Sequence, residues 1–150
     1  MIALVRHAAA GERRAGDDEV RPLTAKGRAQ AANLVGQLAS LPLARILSSP
    51  YLRCVQTVEP LAKARGLRVE EADALGEGGR AADVLRLMGR LAPAGAALCS
   101  HGDVIGALVE ELVDRRLLAP DQARYSKGST WLLEMDGSAV TSARYLPPKP

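Results

Sequence analysis

Short, continuously apolar runs alternate along this chain with longer stretches in which apolar residues recur every three or four positions. The first pattern predicts buried strands, the second amphipathic helices. Ile2 to Val5 reads as a short buried strand. Residues 13–21 are polar and rich in Gly, Asp and Arg, which predicts a loop. In "PLTAKGRAQAANLVGQLASL", Ala29, Ala32, Leu34 or Val35, Leu38 and Leu41 fall near one helical face, with Thr24 as the expected N-cap. Arg45 to Ser48 is a second strand. "SSP" ends it and opens a helix over Tyr51 to Arg65, stopped by Gly66. Pro60 inside that helix is expected to kink or split it. Leu67 to Glu71 reads as a third strand, followed by the loop "LGEGG". Ala81 to Leu91 is an amphipathic helix. Ala96 to Ser100 is a fourth strand, apolar throughout and so central. A helix is predicted over Asp103 to Arg116, then two strands, Thr130 to Met135 and Ala139 to Tyr145, joined by the hairpin signal "DG".

Strands alternating with helices of ten or more residues imply an α/β three-layer sandwich. Its central sheet is mostly parallel, with helices on both faces and an antiparallel edge hairpin. The 150 residues suit a single domain, 1–150, and the terminal "PPKP" is expected to fray.

Composition narrows the picture. There is no Phe, so the core must come from Leu, Val, Ile and Ala. The net charge of +3 is too mild to argue for nucleic acid as a partner, though it suits an anionic ligand if arginines cluster. Cys54 and Cys99, far apart, form neither a CxxC pair nor a disulfide framework and are expected to be reduced thiols. The apolar start is too short for a signal peptide and no run reaches membrane-spanning length, so a cytoplasmic protein without a membrane partner is expected. His7, His101 and Asp103 have no further ligand at a recognisable spacing, so neither a metal nor another cofactor is expected.

In a sheet of this kind, ligands sit beyond the carboxyl ends of the strands. The first strand delivers Arg6 and His7 there. The second delivers Ser48, Ser49 and, at the start of the next helix, Arg53. Glu77 follows the third strand, flanked by Gly76, Gly78 and Gly79. The fourth delivers Ser100, His101 and Gly102. Both histidines of the chain therefore reach one rim. Arginine forks suit phosphate. A neutral imidazole can attack phosphorus and hold the phosphoryl group covalently. A carboxylic acid can protonate the leaving oxygen. Small residues after His7 allow close approach to the backbone. Arg53 near a helix N-terminus is slightly unfavourable for the helix dipole, which favours a ligand role. Ser49 and Thr57 could touch phosphate, or cap and pack. Arg13, Arg14 and Arg21 could widen a positive funnel. Asp103 is read as a helix cap first and as an alternative acid second. Cys99 is expected in the core, facing away from His101.

The blocks "LVRHAAAG", "RPLTAKGRAQA", "SSPYLRCVQTVEPLA" and "LCSHGDVIGAL" together resemble the histidine phosphatase, or phosphoglycerate mutase-like, superfamily. The short length and the "RHA" start resemble its SixA-like branch of small phosphohistidine phosphatases. "GDDEVRPLTAKGRAQA" with "LRCVQTVEPLA" also resembles the phosphatase domain fused to MutT-type Nudix domains in actinobacteria, although no Nudix domain lies in these residues. The resemblance implies that His7 is the nucleophile that becomes phosphohistidine. It implies that Arg6, Arg53 and His101 complete a phosphate pocket and that Glu77 stands where many members carry the proton donor. Substrate contacts are expected from Arg6, Arg53, His101, Ser49 and Arg21. Ala8 replaces the usual glycine, which would strain the loop if a positive φ is needed there.

The expected activity is a phosphatase acting on a phosphorylated small molecule or a phosphohistidine protein. A mutase is the first alternative, but it must exclude water and the short segment from Ala72 to Ala81 predicts an open site. The second is an inactive phospholigand-binding module.

Overall fold

The computed structural model describes residues 1–12 and 17–150. Its six strands are β1 (Ile2–Arg6), β2 (Arg45–Ser48), β3 (Val69–Glu71), β4 (Ala96–Ser100), β5 (Thr130–Asp136) and β6 (Ala139–Leu146). The four helices are α1 (Ala25–Gln37), α2 (Leu52–Arg65), α3 (Ala81–Leu91) and α4 (Gly102–Asp114). One sheet runs in the order β3-β2-β4-β1-β5-β6. The first four of these are mutually parallel, while β5 pairs antiparallel with both β1 and β6.

Alternation along the central strands explains the layers. Ile2 and Leu4 of β1 and Leu98 of β4 pack with Val84 and Met88 of α3 and Val104, Ile105 and Leu108 of α4. Ala3, Val5, Ala97 and Cys99 point the other way, onto Leu34 and Leu38 of α1 and Cys54, Val58 and Leu61 of α2. A strand covered on both faces must be apolar at every position, which is why β1 and β4 show no polar alternation.

Thr24 caps α1, its Oγ1 accepting from the Gly27 amide at 3.1 Å. Gly66 ends α2 in the left-handed region, φ 65°. Three expectations are corrected. Pro60 does not split α2, which runs unbroken over fourteen residues. The third strand shrinks to three residues. The terminal prolines are tied to α1, since Asn33 Nδ2 donates to the Pro150 carbonyl at 2.6 Å and Gln37 Nε2 to that of Pro147 at 3.1 Å. Among the described residues, no helix is long and apolar enough to cross a membrane.

Register is what builds the rim. Arg6 stands opposite Ser100, and Ser48 opposite Cys99. The three parallel strands therefore run out at one level, so that Ser49, His7 and His101 all follow directly at the same edge.

Candidate active site

His7 leaves β1 with its amide donating to the Ser100 carbonyl at 3.1 Å, and its ring is 5% exposed. His7 Nδ1 lies 2.9 Å from the Ala8 carbonyl. A carbonyl only accepts, so Nδ1 carries the proton and Nε2 keeps the lone pair. Burial first, and after it the neighbouring Arg53, His101 and Arg6, hold the imidazole down at about 3, against the opposing pull of the Ala8 carbonyl. The ring is therefore neutral throughout the physiological range.

The backbone after His7 is fixed from several sides. The Ala8 amide donates to Thr57 Oγ1 at 2.9 Å, and the Ala9 amide to Gln30 Oε1 at 2.9 Å. The Thr24 amide donates to the Ala9 carbonyl, against which Gly27 packs so closely that an added Cβ would lie 1.9 Å from its oxygen. Ala8 is fully buried and does not adopt a positive φ, so the strain expected of an alanine at such an angle does not arise.

Arg6, at the end of β1, donates from Nη1 to the Tyr125 carbonyl at 2.8 Å and stacks over the Tyr125 ring. The face of its guanidinium covers Gly102, where any Cβ would fall within 2.6 Å of Nη2. Burial lowers its pKa, and Nε is buried without a partner among the described residues.

His101 is 2% exposed, with its ring centroid 5.6 Å from that of His7 and 4.8 Å from that of Tyr51. Its Nδ1 lies 3.4 Å from Arg53 Nη2. A guanidinium only donates, so Nδ1 accepts there and Nε2–H donates to Ser49 Oγ at 2.8 Å. Cys54 Sγ lies 3.6 Å from the same Nε2. Burial would raise the Cys54 thiol, but hydrogen bonds with Cys99 and His101 outweigh it and bring it down; burial pushes the Cys99 thiol up. Cys99 is in the core, but the alternation places it on the same face as Cys54 and hence towards His101, not away from it.

Arg53, in the first turn of α2, is 1% exposed. It donates from Nη1 to the Asp18 carbonyl at 2.8 Å and from Nη2 to Asp18 Oδ2 at 3.2 Å. Glu77 Oε2 is 3.7 Å from Nη2. Arg53 Nε is buried and without a partner among the described residues. Asp18 also binds Arg21, whose Nη1 reaches the Gly11 carbonyl.

Arg6, His7, Arg21, Arg53, Glu77 and His101 thus line one solvent-open cavity, together with Asp103, Tyr125 and Lys127. Two expectations change. Ser49 is fully buried behind His101 and bonds that ring instead of facing the cavity. Asp103 makes no cap for α4; its Oδ2 accepts from the Gly78 amide at 2.8 Å and so holds the Glu77 loop. Arg13 and Arg14 lie outside the described residues. Sequence pattern does not single out Asp18, Tyr125 or Lys127 as site residues. For the last two a signal exists. If β5 runs antiparallel to β1, the segment entering β5 must sit where β1 ends. Among the described residues, no group of three or more His, Cys, Asp or Glu side chains is arranged to hold a metal ion.

A family model described as the histidine phosphatase superfamily (branch 1) matches residues 2–79, a span that includes Arg6, His7, Arg53 and Glu77. The chain is 36% identical over 156 aligned positions to the 8-oxo-(d)GTP phosphatase of Mycolicibacterium smegmatis, covering 98% of this chain and 48% of the relative. It therefore spans about half the length of the curated relative it matches. Among solved structures it is similar to an Agrobacterium tumefaciens protein assigned as the phosphohistidine phosphatase SixA. There the TM-score is 0.80, at 24% identity over 98% of this chain and 97% of that one. It is also similar to the protein histidine phosphatase SixA complexed with tungstate, with a TM-score of 0.77, 24% identity, and 98% and 94% of the two chains covered.

Proposed function

The chain belongs to the histidine phosphatase superfamily, branch 1, and on that premise we propose that it is a phosphatase working through a covalent phosphohistidine on His7. The observation that carries this reading is the meeting of two imidazoles, 5.6 Å apart between centroids, with the buried Arg53 guanidinium and the partly buried Arg6 guanidinium around one cavity. That spacing suits a single tetrahedral anion. Tungstate, bound in one of the similar structures, is such an anion.

Arg6 and Arg53 hold the phosphoryl oxygens and stabilise the charge that develops on them, and His101, whose Nε2–H stays on Ser49, joins them through Nδ1 when that nitrogen carries a proton. His7 Nε2 attacks phosphorus in line, forming the P–N bond as the bond to the leaving oxygen or nitrogen breaks. Glu77 or water gives the leaving atom its proton. The Nδ1–H bond to the Ala8 carbonyl supports the positive charge that the ring acquires. Water then attacks phosphorus, its proton passes to the carboxylate or to solvent, and the P–N bond breaks to release orthophosphate. No metal or other cofactor enters these steps.

The substrate in this reading is a phosphorylated small molecule or a phosphohistidine on a protein, and nucleic acid is not a partner. The names of the relatives support both substrate types, one as an 8-oxo-(d)GTP phosphatase and one as a protein histidine phosphatase. We place residues 1–150 in one domain working in the cytoplasm, where two buried thiols stay reduced.

The test is chemical trapping. A substrate labelled in its phosphoryl group should leave an acid-labile, base-stable phosphoenzyme after a rapid quench. His7→Ala should abolish that adduct and lower turnover by about a thousandfold or more, as loss of a nucleophile does. Wild-type turnover in His7→Ala would overturn the mechanism.

A further inference from the structure

We infer that Lys127 is a specificity-determining residue of this site and that it reads a second negative charge carried by the substrate's leaving group. The inference rests on the phosphatase reading and deepens it.

Among the described residues, four Arg and Lys side chains line the cavity, Arg6, Arg21, Arg53 and Lys127. Three are engaged, since Arg6 is held by the Tyr125 carbonyl, and Arg21 and Arg53 are both bound to Asp18. Lys127 is exposed, and among the described residues its ammonium makes no hydrogen bond or ion pair. Its backbone is fixed nonetheless. The next residue, Gly128, donates its amide to the carbonyls of both Arg6 and His7, at 3.1 and 3.0 Å, in a left-handed conformation of φ 82°. The Ser129 amide closes the turn onto the Ser126 carbonyl at 2.9 Å. Gln30, which accepts from the Ala9 amide, also donates to the Lys127 carbonyl at 3.5 Å. The residue is therefore clamped to the nucleophile segment while its charge is left unmatched at the mouth.

Charge balance gives that cation a task. A phosphoryl group already meets two guanidiniums and an imidazole deeper in the cavity. A further ammonium at the mouth is complementary to an anion attached beyond the phosphorus. The acids of the mouth, Glu77 and Asp103, come from the loop after β3 and from α4. They repel such an anion and leave the Lys127 wall as the favourable place for it. The fitting substrates are phosphoanhydrides and phosphomonoesters of acids, in preference to esters with an uncharged body.

The experiment compares three substrates by kcat/KM, namely p-nitrophenyl phosphate, inorganic pyrophosphate and phosphoglycolate. Each is tested with the wild type, Lys127→Met and Lys127→Arg. Lys127→Met should lower the value for one or both of the substrates with an anionic body by about tenfold, the usual scale of one charge-assisted contact, and leave p-nitrophenyl phosphate within about twofold. Lys127→Arg should retain most of the preference. Whichever of pyrophosphate and phosphoglycolate falls further identifies the anion as phosphate or carboxylate. An equal loss on all three substrates, no loss on any, or a wild type that turns over p-nitrophenyl phosphate alone overturns the assignment. Turnover that survives His7→Ala, or none on any substrate, removes the phosphatase reading itself, so the two failures are distinguishable. Lys127 is exposed, so an unchanged Tm should accompany both variants.

Discussion

The segment that carries His7 and the segment that carries Glu77 line the same cavity but are held in different ways. The His7 segment continues a central strand, and each residue from His7 to Ala9 donates its amide to a partner on a different element, Ser100, Thr57 and Gln30 in turn. Its ring is almost wholly buried. The Glu77 segment follows an edge strand of three residues and is fastened at three places on either side of the carboxylate. The Ala72 amide donates to Ser48, Ser100 Oγ donates to the Leu75 carbonyl at 2.6 Å, and the Gly78 amide donates to Asp103. The Glu77 side chain is 34% exposed. In the proposed mechanism an in-line attack by His7 tolerates little misplacement, which its over-determined geometry suits. A proton from Glu77 can travel through water, which a wetter and less constrained position suits.

Arg53 belongs with the first region, and its loss should break the comparison most severely. Arg53→Ala should lower kcat/KM by about a hundred- to a thousandfold, the scale for one preorganised donor. Arg53→Lys should recover little of this, because an ammonium cannot reproduce the fork that now reaches Asp18, His101 and the cavity at once. Recovery to within tenfold by lysine would mean that charge alone matters there and that the rigid half of the comparison is overstated.

The second region is probed through its leaving group. Glu77→Gln should lower kcat by about a hundredfold on an alkyl phosphate, whose oxygen needs a proton, and change p-nitrophenyl phosphate turnover little. Asp103→Asn is the companion variant. Its carbonyl oxygen can still accept from Gly78, so the loop stays tethered while the charge is removed. If Asp103→Asn shows the leaving-group dependence and Glu77→Gln does not, the proton comes from α4 and the loop after β3 has only a shaping role.

The same contrast separates what can be read from the sequence from what cannot. The strands, the helices and the arrival of Arg6, His7, Arg53 and His101 at one rim follow from periodicity and from the rule that ligands gather at strand ends. Those four residues sit on or beside regular elements, whose positions local pattern determines. Asp18, Thr57 and Gln30 act through side-chain bonds to chain segments 21 to 49 residues away, and no local pattern encodes such a pairing. The parity of Cys99 is a different case, because positions two apart on an extended segment share a face and so Cys99 follows His101 from the sequence alone, while the covering of that face by Cys54 of α2 is a tertiary contact that no local pattern encodes. Pro60 illustrates tertiary override. Only one ladder bond is lost, and burial of Val58, Leu61 and Ala62 on either side keeps α2 in one piece.

The smallest effect tests how much the burial of His7 costs the fold. In the unfolded chain the imidazole titrates near its ordinary 6.5, whereas in the folded chain burial, followed by the neighbouring Arg53, His101 and Arg6, holds it at about 3. Between those values the unfolded chain takes up a proton that the folded chain refuses. The contribution of this group to stability is therefore complete above pH 6.5 and is lost as the pH falls towards 3. At about 1.4 kcal/mol per pH unit, lowering the pH from about 7 to about 4.5 should remove about 2–3 kcal/mol through His7 alone. His7→Gln has nothing to titrate at this position, so its urea midpoint should fall less over the same interval. Parallel losses in the wild type and His7→Gln would show that the ring is solvated in the folded protein. The neutrality of His7 would then need another cause than its burial at the end of β1.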